Sequence, residues 1–172
     1  MALTQLREWL LAPYFENSGE NGCKKSSHAS HLSNVTCPLH RRMLVISGND
    51  DFCEAAIRSV QAFVDEVSSI SVVNFAGDTL KGKNRKQVLG SECDIATLDC
   101  RDSFKPGDVM AVAGIVKRSG CLILICPALS EWVNNISVSF LSEGFTLTQS
   151  RYLERFIKLL RNNDYVAFHT EE

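Results

Sequence analysis

The stretch over residues 88–132, VLGSECDIATLDCRDSFKPGDVMAVAGIVKRSGCLILICPALSEW, decides the fold of this chain. It contains two apolar segments typical of buried strands, 94–99 and 121–126, with a helical pattern over 107–118 between them. Near-continuous apolar strands separated by helices are typical of a parallel sheet that helices cover on both faces. The stretch therefore predicts a strand–helix–strand unit of such a sheet.

The same alternation extends on both sides of this stretch. It predicts a three-layer α/β/α domain with a mostly parallel five-stranded sheet, Rossmann-like or flavodoxin-like, in which the strands at 43–47 and 121–126 are central. The pattern leaves the strand order open. Either Asp50 or Asp51 is expected to cap the first crossover helix. The other elements that the pattern predicts are strands at 42–47, 69–75 and 165–169 and helices at 52–67, 85–89 and 150–161.

The chain before the first strand has a different character. Leucines recur at helical spacing over residues 2–11, which predicts an amphipathic helix that ends near Pro13. Residues 16–38 are rich in Ser, Asn and Gly and poor in large apolar side chains, so we expect a flexible linker there. We therefore divide the chain into residues 1–40, an N-terminal helix plus linker, and residues 41–172, the α/β domain.

The composition limits the class of protein. The 172 residues carry a net charge of −2 and are 45% apolar, which is typical of a globular protein. A molecule with this charge does not bind nucleic acid through its overall field, so any basic surface must be local. The chain has no apolar run long enough to span a bilayer, and its first residues lack the pattern of a signal peptide. The seven cysteines are scattered without a CxxC pair, which indicates reduced thiols and a cytoplasmic location.

Nucleotide-binding motifs are incomplete in this sequence. Residues 77–84, GDTLKGKN, approach the phosphate-binding pattern GxxxxGK[ST], but Asn84 stands where a hydroxyl would bind magnesium. A solvated basic loop is therefore the better interpretation. After the first strand, Asp50 and Asp51 stand in place of a GxGxxG motif and would repel a pyrophosphate. The sequence predicts no dinucleotide cofactor.

A loose set of metal-binding residue types lies before the first strand. Its spacings differ from those of standard zinc knuckles, so a zinc site and an ordinary linker both stay open as interpretations. No GxSxG motif is present, and the one histidine outside this region is His169, so we expect no catalytic residues. The members of the set are Cys23, His28, His31, Cys37 and His40.

Two surfaces carry residue types that bind partners. The carboxyl ends of parallel strands meet at one edge of the sheet, where ligands bind in open α/β folds. The helix at 150–161 carries a stripe of cations, which is either a solvated face or a ridge that contacts phosphates. This basic stripe consists of Arg151, Arg155 and Lys158. The predicted strand-end face consists of Ser47, Gly48, Asn49, Asp99, Arg101, Glu131 and Trp132.

Several short segments of this chain occur together, in the same order, in a known family. They begin with RRMLVISG at 41–48 and continue through LGSE at 89–92, DCR at 99–101 and the strand at 121–126. The others are Phe104, Ala113, Gly114, Pro127, Glu131, Trp132 and RYL at 151–153. In this order and spacing, residues 41–169 resemble the N-terminal domain of bacterial tRNA(Met) cytidine acetyltransferase, which makes N4-acetylcytidine in the anticodon of elongator tRNA.

The resemblance implies an accessory domain that packs against a helicase-like module and offers basic surface to elongator methionine tRNA. The cation pattern makes Arg151, Arg155 and Lys158 the candidate phosphate contacts of this surface. Family members continue into that ATP-driven module, an acetyltransferase domain and a tRNA-binding tail. These modules are not among the 172 residues, so acetyl-CoA, ATP and Mg²⁺ would belong to parts absent from this chain, and we expect no activity from it alone. Two alternatives stay open: a small-molecule- or nucleotide-binding flavodoxin-like domain, and a structural docking domain with Trp132 in an interface patch.

Overall fold

The computed structural model describes residues 1–16, 40–67, 69–76, 90–134 and 151–171. Within these ranges the chain forms five strands and five helices. The strands are β1 (Arg42–Ser47), β2 (Val72–Ala76), β3 (Cys93–Asp99), β4 (Val116–Cys126) and β5 (Val166–Thr170). The helices are α1 (Leu3–Glu16), α2 (Asp50–Asp65), α3 (Pro106–Ile115), α4 (Leu129–Trp132) and α5 (Arg151–Arg161). None of these described helices has the length and apolar character needed to cross a membrane.

All five strands are parallel and form one sheet in the order β2-β3-β4-β1-β5. The chain goes from β1 to the far edge at β2, returns through β3 to β4, and then passes β1 to add β5. This confirms the predicted three-layer α/β fold with β1 and β4 inside the sheet, and the sheet is entirely parallel rather than mostly parallel. The strand order differs from those of the dinucleotide-binding and flavodoxin sheets.

The direction of each crossover decides which face of the sheet its helix covers. Parallel crossovers are right-handed, so α2, which leads from β1 back to β2, lies on the opposite face from α3 and α5. α1 lies on the same face as α2 and shares its buried core, although the boundary predicted at residue 40 separates α1 from the α/β domain. The core under α1 and α2 includes Leu6, Leu10, Leu44, Ala56 and Ile123. The core under α3, α4 and α5 includes Val45, Val112, Leu124, Trp132 and Ile157.

α1 continues through Pro13 to Glu16, whereas the sequence predicted that it ends near Pro13. A proline inside a helix removes the amide that would donate to the carbonyl four residues earlier, here Trp9. The buried guanidinium of Arg42 supplies the missing donor, because its Nη1 donates to the carbonyl of Trp9 and its Nη2 donates to that of Leu10 at 2.9 Å. The prediction was therefore wrong because Arg42 of β1 replaces the hydrogen bond that Pro13 removes, and the helix continues beyond the proline.

The N-cap of α2 is Asn49, and the prediction of Asp50 or Asp51 in this role was wrong. Asn49 has extended backbone, and its Oδ1 accepts a hydrogen bond from the backbone N–H of Phe52 at 2.8 Å. Asp50 and Asp51 instead occupy the first turn, where the positive end of the helix dipole favours carboxylates.

The boundary between α3 and β4 also differs from the prediction. α3 ends at Ile115, and residues 116–118, which were predicted as helix, open β4. The register between β3 and β4 shifts next to Cys93 and Ile95, and β4 bulges there. Ser119 in the bulge has a φ of 67°, and a side chain on Gly120 would collide with the carbonyl oxygen of Asp94. Residues 116–118 are Val, Lys and Arg, a triplet too short to show whether the helical pattern of 107–115 continues or a strand begins, which explains the error.

Some predicted features fall on parts of the chain outside the described residues. These are the loop at 77–84, the helix at 85–89 and all but the first residue of the linker at 16–38. Of the set of metal-binding residue types, only His40 lies within the described ranges.

Candidate functional site

The carboxyl edge of the sheet is built around the turn that follows β1. Ser47 ends β1, and its Oγ donates to the carbonyl of Pro127 at 2.9 Å, which ties β1 to the residue after β4. The backbone N–H of Gly48 donates to the carbonyl of Cys126 at 3.4 Å. The backbone N–H of Glu171 donates to the carbonyl of Ser47 at 3.1 Å. The ends of β1, β4 and β5 are therefore held together at this turn.

Asn49 and Glu171 form the outer contact of the same turn. The Glu171 carboxylate accepts from the backbone N–H of Asn49 at 2.8 Å and from its side-chain Nδ2 at 2.5 Å. A Cβ atom on Gly48 would lie 2.7 Å from Cδ1 of Phe52 and 2.9 Å from Oε2 of Glu171, so a side chain does not fit there without a shift. A larger residue at position 48 would therefore displace the side chains of Phe52 and Glu171.

Arg101 binds three carboxylates that come from β3 and α2. Its guanidinium contacts both oxygens of Asp99, Oδ1 of Asp50 at 3.1 Å and Oε1 of Glu54 at 2.9 Å. The hydrogen bonds to Asp99 and Glu54 outweigh partial burial and raise the pKa of Arg101 above its ordinary value. The positive charge of Arg101 is therefore already paired with carboxylates of the same chain.

The described charged side chains at the carboxyl edge are mostly acidic. Arg101 is already paired, and Lys105 is half-buried before α3. An excess of carboxylates repels a chain of phosphate groups, so this edge is unfavourable for the backbone of a nucleic acid. The carboxylates are those of Asp50, Asp51, Glu54, Asp99, Asp102, Glu131 and Glu171.

Of the predicted strand-end face, Trp132 does not line the surface. Its side chain is 2% exposed and packs edge-on against Phe104, with ring centroids 5.0 Å apart. Glu131, its neighbour on α4, is exposed. The prediction that Trp132 belongs to an interface patch is therefore wrong, because the residue is part of the core under α5.

A cavity of about 360 Å³ opens beside the turn after β1, on the face that carries α5. Its wall combines apolar groups of Leu129 and Phe168 with the side chains of Arg161 and Glu171. Within the part of the chain that the structure describes, no carboxylate lies within ion-pair distance of Arg161. The cavity is large enough for a small organic group.

The basic stripe of α5 lies on the side of the helix that faces away from the sheet. Arg151, Arg155 and Lys158 are exposed, and they share one face because they are spaced by four and three residues. The opposite face buries Leu153, Ile157 and Leu160 in the core. The sequence predicted this division of the helix, and the structure places all three cations together.

The described residues offer no evident nucleophile or metal cluster. Burial raises the pKa of the Cys121 and Cys126 thiols to about 12 and that of Cys100 still further, so these thiols stay protonated. His169 has its Nδ1 2.9 Å from the carbonyl oxygen of Met1. Among the described residues, no group of three His, Cys, Asp or Glu side chains is arranged to hold a metal ion.

Sequence reasoning missed two features of these surfaces. Glu171, which follows β5 directly, was not assigned to the strand-end face although the ends of parallel strands share one edge. The exposed face of α3 was also missed. Gly107, Met110 and Gly114 form it at helical spacing, and Met110 is 76% exposed. The absence of polar residues at these three positions was the signal.

Comparison with known proteins assigns the chain to a family. The family model "tRNA(Met) cytidine acetyltransferase TmcA, N-terminal" matches residues 26–170. A tRNA(Met) cytidine acetyltransferase TmcA of Haloferax volcanii is 29% identical over 97 residues, which are 54% of this chain and 13% of the relative. A protein of the same name from Nitrosococcus halophilus is 24% identical over 149 residues, 80% of this chain and 20% of the relative. The matched part is thus a fifth or less of each relative.

Proposed function

Because this chain belongs to the family of N-terminal domains of the tRNA(Met) cytidine acetyltransferases, we propose that it is an accessory domain of such an enzyme. Its role is to contact tRNA and to pack on the helicase-like and acetyltransferase modules, without catalysis of its own. Acetyl-CoA, ATP and Mg²⁺ act in those other modules. The enzyme works in the cytoplasm, as the reduced thiols suggest.

The basic stripe of α5 is the observation that carries this proposal. Arg151, Arg155 and Lys158 project from one face of a helix whose other face is fixed in the core. Among the described ion pairs, none involves these three cations, so their charges are not taken up as that of Arg101 is. Cations on a rigid helix suit the phosphate backbone of RNA, which they contact without reading its sequence.

The charge of the carboxyl edge supports the choice of α5 for the RNA contact. The carboxylates around Arg101 repel phosphates, whereas α5 presents four exposed cations, those of the basic stripe and Arg161, and Glu154 is its one carboxylate. An RNA strand approaching the domain is therefore attracted to α5 and repelled from the strand ends. The net charge of −2 requires such a local arrangement in any RNA-binding domain of this composition.

The exposed face of α3 supports the docking part of the proposal. α3 carries one charged residue, Asp108, and that residue is buried. Its solvent-facing positions are Gly107, Met110 and Gly114, so its exposed face carries no polar side chain. An exposed helix face of this kind suits a packing contact, and the modules that make up most of the relatives' length are the candidates to cover it.

Binding to elongator methionine tRNA tests the RNA contact. The chain is titrated with this tRNA and with a second tRNA at several salt concentrations, and the variant with Arg151, Arg155 and Lys158 all changed to Ala is compared with the unchanged protein. We expect the variant to bind more weakly and to lose roughly two to three units of the slope of log K against log salt, because each phosphate contact contributes about 0.7 to 0.9.

A matched single substitution separates position from charge. Arg155→Ala and Arg58→Ala remove the same charge from exposed positions, on α5 and on α2 at the opposite face of the sheet. The proposal requires Arg155→Ala to weaken binding and Arg58→Ala to leave it nearly unchanged. Equal effects would reduce the interaction to overall charge, and an unaffected triple variant would remove α5 from the RNA contact.

The cavity beside Ser47 favours a second candidate function, the binding of a small molecule. Arg161 would hold an anionic group of the ligand, and Leu129 and Phe168 would pack on its apolar part. Absorbance of the freshly purified protein between about 260 and 450 nm tests this at once, since flavins and nucleotides absorb there. A spectrum that shows protein absorbance alone counts against a tightly bound flavin or nucleotide.

A further inference from the structure

Exposed apolar side chains are concentrated beside the basic stripe of α5. Among the described residues, the large apolar side chains that stand in solvent are Leu3, Met110, Tyr152 and Leu159. Two of these four belong to α5, where Tyr152 is 47% and Leu159 59% exposed. Because they are seven residues apart, Tyr152 and Leu159 lie on the same side of the helix and form one apolar strip along it. Around the helix, Arg155 lies between this strip and the centre of the basic stripe.

The ring of Tyr152 is held by other aromatic rings. It is nearly parallel to Phe156, with an interplanar angle of 11° and centroids 6.2 Å apart. Phe104 lies 6.1 Å from Tyr152 and 5.5 Å from Phe156, and Phe104 in turn packs edge-on against the buried Trp132. Tyr152 is therefore the exposed end of an aromatic cluster that reaches into the core, and its orientation is fixed before any partner binds.

We propose that Tyr152 is a stacking platform for an unpaired base of the RNA whose phosphates lie on the basic stripe. This inference rests on the proposed function and names the kind of RNA structure that α5 receives. Arg151 precedes Tyr152 in sequence, and Arg155 lies one helical turn after it. A nucleotide that places its phosphate on these cations can lay its base on the neighbouring ring, as single-strand-binding surfaces do with alternating cations and aromatic residues.

The platform suits a single strand rather than a double helix. In duplex RNA the bases are stacked on each other inside the helix, so a surface ring meets no open base face. Loops and unpaired ends of tRNA present such faces. Because every base has a π-face, stacking on Tyr152 adds affinity without strong preference for sequence.

The test uses the 172-residue chain with a single-stranded RNA oligonucleotide, a duplex RNA of the same length and elongator methionine tRNA. We expect Tyr152→Ala to weaken binding of the single strand about ten-fold and to leave binding of the duplex unchanged. The slope of log K against log salt should stay the same, since no phosphate contact is lost. Tyr152→Phe, which keeps the ring, should bind the single strand nearly as well as the unchanged protein.

Leu159→Ala is the matched control, because Leu159 is also apolar and exposed on the same strip but has no ring. If Leu159→Ala weakens binding as much as Tyr152→Ala, or if Tyr152→Phe fails like Tyr152→Ala, the strip is an ordinary apolar contact and stacking is wrong. If the triple alanine variant of the stripe binds poorly while Tyr152→Ala binds the single strand fully, only the stacking inference fails. Absence of RNA binding at low salt overturns both it and the proposed RNA contact. Urea unfolding of each variant confirms that the fold is retained.

Discussion

Arg42 on β1 donates to the carbonyl of Trp9 on α1, the carbonyl that Pro13 leaves without its helical donor. The same guanidinium lies 4.6 Å from the centre of the Trp9 ring and donates to the carbonyl of Leu10. Burial lowers the pKa of Arg42 from its ordinary value, and its Nε has no hydrogen-bond partner among the described residues. A buried cation thus joins the N-terminal helix to the sheet through helix carbonyls and an aromatic face.

Replacing Arg42 should destabilise the protein strongly. Arg42→Met fills part of the space but leaves the carbonyl of Trp9 buried without a donor, so we expect a loss of about 2 to 4 kcal/mol in the free energy of unfolding. Urea denaturation measures this, with Arg58→Met on the exposed face of α2 as the control that should change little.

The role of Pro13 can be isolated by a double-mutant cycle. Pro13→Ala restores the amide that donates to the carbonyl of Trp9, so Arg42→Met should cost less in that background by about 0.5 to 2 kcal/mol. Additive effects of the two substitutions would mean that Arg42 does not act through this carbonyl.

Two glycines should respond in opposite directions to substitution by alanine. At Gly48 the new Cβ would approach the ring of Phe52 and the Glu171 side chain, so we expect Gly48→Ala to destabilise by about 1 to 3 kcal/mol. At Gly114 on α3 the new Cβ meets open space, so Gly114→Ala should stabilise the isolated chain by up to about 1 kcal/mol through helix propensity. Thermal unfolding of both variants measures the two changes in stability. A stabilised Gly48→Ala variant would show that the turn after β1 is less tightly packed than its contacts indicate.

The elements that the sequence predicted well are those set by local pattern. The run CLILIC over 121–126 is buried in the centre of the sheet, and the division of α5 into cations and core residues follows from its period alone. The misplaced boundaries depend on distant contacts. Pro13 remains helical because of Arg42, which is 29 positions later, and β4 begins early because Val116 pairs with Cys93 of β3.

The sequence predicted which residues lie at the candidate surfaces, but not the orientation of every side chain or the charges around it. The rule that strand ends share an edge brought Ser47, Asn49 and Asp99 to one side of the molecule. It does not tell whether a side chain points outward, which is why Trp132 was assigned to the surface although it packs on Phe104. The acidic character of the edge and the pairing of Arg101 follow from which loops lie next to each other, and the sequence left that order open.

Arg101 should stabilise the strand-end edge more than an exposed ion pair does. Arg101→Ala leaves Asp50, Glu54 and Asp99 facing each other without their shared cation. We expect a loss of about 1 kcal/mol in the free energy of unfolding, reduced at high salt where the carboxylates repel each other less. Arg7→Ala, which breaks the exposed pair between Arg7 of α1 and Glu66 at the C-cap of α2, is the comparison and should cost less.

The stability of the protein should fall as pH is lowered through the titration range of His169. Burial lowers the pKa of His169 from its ordinary value near 6.5, although the backbone carbonyl of Met1 partly opposes this. The unfolded chain therefore takes up the proton first, so stability is full above about pH 6.5 and is lost as pH falls toward the lower pKa of the folded state.

Replacement of His169 by Asn tests this assignment. The Asn amide can keep the donor to the carbonyl of Met1 but does not titrate, so His169→Asn should flatten the dependence of stability on pH between about 7.5 and 5.5. His40→Asn is the control, because His40 lies beside Tyr165 at the opposite, amino end of β1 and β5. If the stability of His169→Asn changes with pH as steeply as that of the unchanged protein, the pH dependence belongs to another group.

The buried cysteines should resist alkylation in the folded protein. Cys53, Cys93, Cys100, Cys121 and Cys126 are buried thiols without disulfide partners. Burial raises the pKa of each of them, so the reactive thiolate is scarce at pH 8 as well as inaccessible. Treatment with iodoacetamide followed by peptide mass spectrometry should find these five positions unlabelled in native buffer and labelled after unfolding in urea. Rapid native labelling at Cys100 or Cys126 would mean that the strand-end edge opens on the time scale of the reaction, because both thiols lie beneath that edge.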